Sequence, residues 1–301
     1  MSAVIGPHAL FNRTYRVIMG PAGGPPGSGL EWDGTGTTGL RVRFEVKKTG
    51  DATPNDARVT FYNLSETHRN FIDSYDKSTW AIQLYAGYQD TGNKLLFSGS
   101  MELTSNIKAT VSKAGRIMLH YRQGPDWVTE ICGKDGVRNY RSTVMAKSFA
   151  PGVSLRTVVG EIARAMGITR KSIKFDAIPE TAISQNGIAL CKPARDELDA
   201  ICDRFDARAS IQDGVLQIIP RGKSLDLEAF VLSPQTGLIG SPERTEVGVR
   251  VTGLLQGGIN PGRLIEIHSQ YLSGLYIAEN VEHVGDTWMY PWYTTVDCIK
   301  A

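Results

Sequence analysis

The chain has 301 residues, too many for one ordinary hydrophobic core and enough for two or three domains. Hydrophobic residues make up 41% of it and charged residues 21%, a balance typical of soluble globular proteins rather than disordered or membrane-spanning ones. The formal charge of +2 argues against the strong overall field with which proteins grip nucleic acid or anionic membranes.

The cysteines and the apolar segments bear on where the protein works. The four cysteines show no CxxC spacing, which predicts reduced, partly buried thiols rather than a disulfide framework. The first residues lack the basic region and apolar core of a secretory signal, and no run approaches eighteen apolar residues. We therefore expect a protein made in a cytoplasm, with no membrane span.

The first part of the chain, 1–127, predicts a small β-domain. Four segments alternate apolar and polar residues as strands with one buried face do: LRVRFEV, RVTFYN, TWAIQLYA and RIMLHY. Between the second and the third, Ser65 is a predicted N-cap for a short helix whose apolar stripe contains Phe71 and Ile72. Several strands and one helix indicate a barrel or sandwich with a helix packed on it.

A glycine- and proline-rich segment, 19–29, precedes these strands. Its composition is typical of a flexible hairpin tip, or of a segment that becomes ordered against a partner. Within it, Gly24 and Pro25 are candidate residues for a turn or a subunit contact.

The middle of the chain, 128–228, changes to an α+β pattern. Ser154 is a predicted cap for a run with helical apolar spacing, and Gly167 supplies the stop. A second helical run follows, and then Asp213-Gly214 predicts a tight turn between two apolar strands. These elements predict a separate helix-containing module.

The last part, 229–301, returns to strands. Its segment 246–269 predicts a strand, a tight turn and a return strand, and the candidate turn residues are Gly257, Gly258, Asn260, Pro261 and Gly262. About 70 residues are few for an independent barrel, so we expect 127–150 to pair with these strands and the helical module to be an insertion. A short echo links GLRVRFEVKKTGDATPNDARVTFYNLS to VGVRVTGLLQGGINPGRLIEIHS, and it is weak support for a duplication.

Residues suited to catalysis or metal binding are scattered. The five histidines form no HExxH or similar spacing, and Glu282 and His283 would point to opposite faces of a strand, away from a shared metal with Asp286. No G-x-S-x-G elbow or phosphate loop is present, and Cys191 and Cys202 lie at small apolar positions of a helix or beside it. We predict no catalytic residue, metal or cofactor.

Two further groups leave alternatives open. Paired carboxylates for a muramidase would have to come from Glu161, Asp196 and Glu197, which are placed on the solvated faces of predicted helices. The aromatic run 288–293 is suited to stacking on sugars or bases, or more commonly to plugging a core or an interface.

Two strings carry a resemblance to a known family. The C-terminal VLSPQTGLIGSPERTEVGVRVTGLLQGGINPGRLIEIHS, followed by GLYIAENVEHVGDTWMYPWYTTVDCI, resembles the C-terminal part of baseplate hub proteins of contractile-tailed phages and related injection machines. The N-terminal FEVKKTGDATPNDARVTFYNLSETHRNFI looks like the opening barrel of the same family, in which a helix begins near NLS. The middle module matches by position only.

The resemblance implies a mainly β fold with an α+β insertion: two tail-tube-like β-barrel domains, 1–127 and 229–301, plus the module 128–228. It implies a homotrimer whose six barrels form a pseudo-sixfold ring lining a DNA channel. That ring would connect a hexameric tail tube protein to a trimeric spike or central fibre protein, with other baseplate proteins and a tape measure protein as further partners. Such a protein is assembled in the host cytoplasm and ends in the virion.

Further expectations follow from a hub. Subunit contacts would run through sheet edges and loops, and lysines and arginines would lie mainly away from a wall along which DNA passes. The chain lacks a recognisable lytic domain, which leaves as alternatives a tail-tip protein that binds the cell wall or degrades peptidoglycan, and the base of a secretion spike.

Overall fold

A computed structural model describes the chain at residues 12–21, 28–35, 39–51, 53–74, 80–102, 110–111, 117–118, 120–135, 143–168, 170–225 and 228–301. The fold is mainly β with a small helical module, as predicted. None of the helices in these ranges is long and apolar enough to cross a membrane. Residues 22–27, which include Gly24 and Pro25, lie outside the described residues.

The N-terminal elements are β1 (Arg13–Pro21), β2 (Leu30–Thr35), β3 (Val42–Thr49), β4 (Asp56–Tyr62), α1 (Glu66–Ser74), β5 (Trp80–Tyr88), β6 (Gly92–Glu102), β7 (Thr110–Val111), β8 (Ile117–Met118), β9 (His120–Gln123) and β10 (Asp126–Lys134). The middle contains β11 (Lys147–Phe149), α2 (Leu155–Ala165), β12 (Ile173–Phe175), β13 (Ile188–Leu190), α3 (Ala194–Asp203), β14 (Ala207–Gln212) and β15 (Val215–Pro220). The C-terminal strands are β16 (Phe230–Leu232), β17 (Leu238–Arg244), β18 (Gly248–Leu254), β19 (Leu264–His268), β20 (Ser273–Asp286) and β21 (Trp292–Lys300).

One sheet runs through both β regions. Its strand order is β17-β18-β21-β20-β3-β4-β10-β6-β5-β1-β2, with β19 also pairing with β20, β16 with β19, and β9 with β10. The antiparallel pairing of β20 with β3 joins the C-terminal strands to the N-terminal ones. The two β regions are therefore parts of a single hydrogen-bonded surface.

Three hydrophobic cores lie within this architecture. The first is N-terminal and includes Phe44, Trp80 and Phe97; the second lies inside the helical module; the third, around Val251 and Val296, belongs to the C-terminal strands. Alternation of side chains across each strand explains the first and third, because every second residue of β3 and β21 is buried.

The predicted helices and the predicted tight turn are present. Ser65 Oγ accepts a hydrogen bond from the His68 N–H (3.3 Å) at the start of α1. Ser154 precedes α2 in extended conformation, but its side chain makes no capping hydrogen bond, so that part of the prediction was wrong. Asp213 (φ 53°) and Gly214 (φ 82°) form the tight turn of the β14–β15 hairpin.

Two predicted pairings were wrong. The strands of the segment 246–269 form as β18 and β19, but β18 pairs with β17 and β21 while β19 pairs with β16 and β20. The segment is thus a connection between strands rather than a hairpin, unlike β3 and β4, which pair directly. The expected pairing of 127–150 with the C-terminal strands is wrong for strand β10, which pairs with β4, β6 and β9 of the N-terminal region. Its Ile131 and Cys132 pack in the first core, whereas the C-terminal strands already have partners.

Candidate functional site

A polar face covers seven neighbouring strands of the sheet, β17 to β10 in spatial order. Directly paired residues of antiparallel strands share a face, so the register aligns Thr252, Thr295, Glu282, Lys47 and Asp56 in one row across five strands. Parallel rows lie on either side. The charged residues of this polar face are Arg43, Glu45, Lys47, Asp56, Arg58, Glu130, Lys134, Glu243, Arg250, Glu282 and Asp297.

Four of the five basic residues on the described part of the polar face pair with carboxylates. Arg250 donates two hydrogen bonds to the carboxylate of Asp297, from Nε to Oδ1 (2.6 Å) and from Nη2 to Oδ2 (3.0 Å). Lys47 Nζ lies 2.6 Å from Glu45 and 3.5 Å from Glu282, and the hydrogen bond from Lys47 lowers the pKa of Glu45.

Two more pairs complete the pattern. Arg58 lies 3.3 Å from Glu130, and Lys134 lies 3.7 Å from Asp56. With five basic and six acidic side chains, the polar face is close to electrically balanced. It therefore offers a wetted surface on which cations and anions alternate at short range.

The predicted turn residues lie in the loop 255–263, which connects β18 to β19 and packs between three parts of the fold. A Cβ on Gly257 would lie 2.7 Å from Lys94 Cβ and 2.8 Å from Leu96 Cδ2 of β6. Gly262 (φ +84°) packs against Ile219 and Leu225, and its N–H donates to the Ala278 carbonyl. Gly258 is less restricted, since its nearest neighbour would be Phe230 at 3.7 Å. Pro261 is buried within the loop.

Asn260 takes part in a buried polar junction. Its Oδ1 accepts from Lys48 Nζ (2.9 Å), which also binds Asp213 Oδ2 (2.6 Å). The Lys48 side chain is fully buried on the core side of β3, and Asp213 Oδ1 accepts from the Ser98 N–H (3.0 Å). Loop 255–263, strands β3 and β6, and the turn of the helical module therefore meet at one lysine.

The suspected metal ligands separate. His283 is fully buried, its Nδ1 lies 2.9 Å from Thr294 Oγ1, and burial lowers its pKa to about 3. Glu282 faces the polar face, and Asp286 pairs with Arg41 at 2.7 Å. Among the described residues, no group of three or more His, Cys, Asp or Glu is arranged to hold a metal ion.

The carboxylates considered for a muramidase have structural partners. Glu161 binds Lys147 and Arg164, and Glu197 is buried, where it accepts from the N–H groups of Cys191 and Lys192. Within the described part of the chain, Asp196, in the first turn of α3, forms no hydrogen bond or ion pair with either of them. These three residues are therefore not brought together as an acid–base pair.

A cleft of about 1040 Å³ lies between the helical module and the C-terminal strands. Four arginines line it, and each has a carboxylate of the cleft as its partner: Arg195 with Asp199, Arg208 with Glu279, Arg221 with Asp203, and Arg250 with Asp297. Of these pairs, Arg208–Glu279 joins the module to the sheet, whereas the other three lie within the module or within the sheet.

An aromatic tip, residues 288–290, projects from the connection between β20 and β21. Trp288, Met289 and Tyr290 are 61%, 59% and 77% exposed. Asp286 Oδ1 accepts from the N–H groups of Trp288 (3.0 Å) and Met289 (3.1 Å) and so fixes the start of the tip. Three adjacent large apolar side chains in a fixed turn are characteristic of a protein–protein contact.

Arg13 supports the aromatic tip from β1. Its guanidinium donates to the carbonyls of Asp286 and Met289 and lies 5.4 Å from the ring centres of both Tyr290 and Trp292. Trp292 itself is buried against Phe44. The predicted aromatic run is therefore divided between a core plug and an exposed surface.

The polar face was not recognised from the sequence, although a signal for it was present. Arg43, Glu45 and Lys47 alternate with buried residues in β3, and such alternation predicts one solvated face. Only the register shows that seven strands align those faces, because it joins β3 to β20, more than 230 residues away.

Comparisons with known proteins agree with this architecture. Two solved structures are similar over 95% of this chain and 96% of theirs: the 43 kDa tail protein of prophage MuSo2 from Shewanella oneidensis (TM-score 0.61, 7% identity) and a tail protein from Neisseria meningitidis MC58 (TM-score 0.60, 9% identity). The c3393 protein of E. coli, described as a type VI secretion component, is similar over 87% of this chain and 73% of its own chain (TM-score 0.51, 11% identity). At these identities the likeness shows the fold.

A comparison with curated proteins gave no match. The family described as "Baseplate hub gp41" matches residues 29–298, which include both β regions, the helical module, the polar face and the aromatic tip. The chain therefore belongs to the baseplate hub gp41 family of phage tail proteins.

Proposed function

We propose that this protein is the structural hub of a phage tail, a homotrimer whose two β regions act as tail-tube-like units and together give a pseudo-sixfold ring. The ring connects a hexameric tail tube to a trimeric spike or central fibre, and the polar face lines its channel. The observation that carries the proposal is the single sheet joining β20 to β3, because it gives one continuous wall per chain.

The electrostatics of the polar face suit a DNA conduit. A wall of unpaired lysines and arginines would bind phosphates, release counterions and slow the passage of DNA. Here basic residues are present on the proposed wall, but acidic residues outnumber them and Lys47 and Arg250 are in ion pairs. On this proposed wall, the expectation that lysines and arginines lie mainly away from the channel does not hold, and most of their charge is instead neutralised by neighbouring carboxylates.

The aromatic tip is the surface we assign to an adjoining baseplate or tail protein. Arg13, Arg41 and Arg43 lie near it with the carboxylate of Asp286, so the surface fits a partner with acidic groups around an apolar pocket. A neighbour of similar fold occurs in a Francisella PdpA–VgrG complex (TM-score 0.53, 8% identity, 96% of this chain, 53% of that chain), which supports a role among spike-associated proteins.

We propose no catalysis for the chain. Glu161 is engaged in ion pairs and Glu197 accepts backbone N–H groups before α3, so these two and Asp196 do not support the alternative of a peptidoglycan-degrading tail-tip protein. The protein would be assembled in the host cytoplasm and reside in the virion baseplate.

Light scattering of the purified protein at several concentrations tests the proposal. Chains of 32.9 kDa should give a stable species of about 99 kDa, as a closed threefold ring requires. A species that stays at the mass of one chain at every concentration would contradict the self-assembled ring. Lysis of purified cell-wall material by the protein would contradict the non-enzymatic assignment.

A further inference from the structure

A second carboxylate adjoins the buried junction at Lys48. Asp135, directly after β10, is 3% exposed, and its carboxyl faces the backbone of Asp213 and Gly214. Its own N–H donates to the carbonyl of Asn55 (3.0 Å), whose side chain donates to the hairpin. Asp135 Oδ2 is buried and has no hydrogen-bond partner among the described residues. Asp135 therefore reaches the tip of the β14–β15 hairpin from the sheet side.

The junction contains two carboxylates and one lysine. Lys48 Nζ is bound to Asp213 Oδ2 and to the neutral side chain of Asn260, so only one positive charge faces Asp135 and Asp213. Two neighbouring carboxylates in a poorly solvated site disfavour double ionisation. Burial, and then the charge of Asp213, raise the pKa of Asp135 to about 7.

The other charged or titratable groups around the junction leave this balance unchanged. His283, which faces Lys48 from β20, has a pKa lowered to about 3 by burial and stays neutral. Lys134, the neighbour of Asp135 in the chain, pairs with Asp56 on the polar face.

The tip of the hairpin beside Asp135 is one attachment of the helical module to the sheet, and the Arg208–Glu279 ion pair between β14 and β20 is another. Next to the junction, Asn55 Nδ2 donates to Gln212 Oε1 (2.9 Å), and Gln212 Nε2 donates to the Thr49 carbonyl (2.7 Å). These contacts are neutral, so among the contacts at the turn only the junction with Asp135 changes its charge near neutral pH.

We propose that Asp135 is a proton-operated latch that holds the β14–β15 hairpin, and with it the helical module, to the sheet most tightly when its carboxyl is protonated. With the proton bound, Lys48 and Asp213 neutralise each other and the junction carries no net charge. Without it, one negative charge remains buried. The latch does not depend on the hub function proposed above.

The sign and size of the effect follow from proton linkage. A detached Asp135 would have an ordinary pKa near 3.8, below its value of about 7 in the closed junction. Detachment therefore releases a proton between these two values, and it becomes easier as pH rises through this window and constant above it. The opening equilibrium should rise about tenfold between pH 5 and 6, and about tenfold again between pH 6 and 8.

Hydrogen exchange followed by mass spectrometry tests the latch on the full-length protein. Protection of 207–220, corrected for the intrinsic pH dependence of exchange, should fall about tenfold from pH 6 to pH 8. In Asp135→Asn, which imitates the protonated carboxyl, protection should stay high at both pH values. Asp56→Asn, an exposed carboxylate on β4, is the matched control and should behave as the wild type.

Strand β5 serves as the internal reference because it lies in the N-terminal core, away from the junction. Equal corrected protection of the hairpin at both pH values in the wild type would overturn the proposal. So would a pH dependence that persists in Asp135→Asn, or a loss of protection in β5 that parallels that of the hairpin, since this would indicate global unfolding.

Discussion

Replacement of Lys48 by methionine should destabilise the protein far more than an ordinary surface lysine would. The Lys48 side chain is fully buried, and its ammonium group donates hydrogen bonds to Asp213 and Asn260. Methionine fills similar space but leaves Asp213 buried without its counter-ion. Removing one member of a buried ion pair costs about 3–5 kcal/mol, because the remaining charge is uncompensated.

Thermal unfolding followed by circular dichroism measures this cost. For a chain of 301 residues, about 2.1 cal/mol/K of unfolding entropy per residue converts 3–5 kcal/mol into a fall in Tm of about 5–8 °C. Lys47→Met is the matched control, since Lys47 is 60% exposed and its ion pairs are worth less than about 1 kcal/mol. Its Tm should fall by less than about 2 °C.

A second variant separates the charge from the packing. Lys48→Met combined with Asp213→Asn removes the uncompensated carboxylate and should recover part of the lost stability. Equal Tm values for Lys48→Met and Lys47→Met would refute the assignment of Lys48 as the buried junction. No recovery in the double variant would show that the loss comes from packing instead.

Three other predictions address the loop, the channel and the docking surface. Gly257→Ala should cost about 1–3 kcal/mol in urea unfolding, because its Cβ would meet Lys94 and Leu96 at under 3 Å, whereas Gly258→Ala should change stability by less than about 1 kcal/mol. Glu45→Lys combined with Glu282→Lys should give the polar face a positive charge and create salt-sensitive binding of a short DNA duplex in fluorescence anisotropy; comparable binding by the wild type would contradict a neutral wall. Trp288→Ser should leave mass and Tm unchanged but weaken incorporation into purified tail particles by at least about 2 kcal/mol in apparent affinity; unaltered incorporation would exclude the aromatic tip as a docking surface.

Local patterns predicted most elements of this fold. Alternation in β3, β4 and β5 and helical spacing in α2 and α3 were sufficient, because side-chain periodicity is a property of each element alone. The same patterns did not predict partners. The strands on either side of the loop 255–263 were expected to pair with each other, yet each pairs elsewhere.

The candidate residues show the same division. Asn260 and Gly262 were selected as turn residues, and the structure places them in a loop that binds Lys48 and packs on the helical module. Alternation in β3 places Lys48 on the buried face with Val42, Phe44 and Val46, but the strand pattern does not indicate which partners its charge finds there. The aromatic run was noticed, but its division into buried Trp292 and exposed Trp288 depends on where the strands end.

The mainly β class, the helical module and the resemblance to baseplate hubs could be predicted from the amino-acid sequence, because these depend on local periodicity and on long motif strings. The three-dimensional structure was needed to show that β20 joins β3, that seven strands share one polar face, and that Lys48, Asp135 and Asp213 meet at one buried point. The joining of β20 to β3 brings together residues more than 230 positions apart, and the buried point brings together residues at least 78 apart. Such contacts are selected by the total burial and hydrogen bonding of the whole fold, which no local pattern contains.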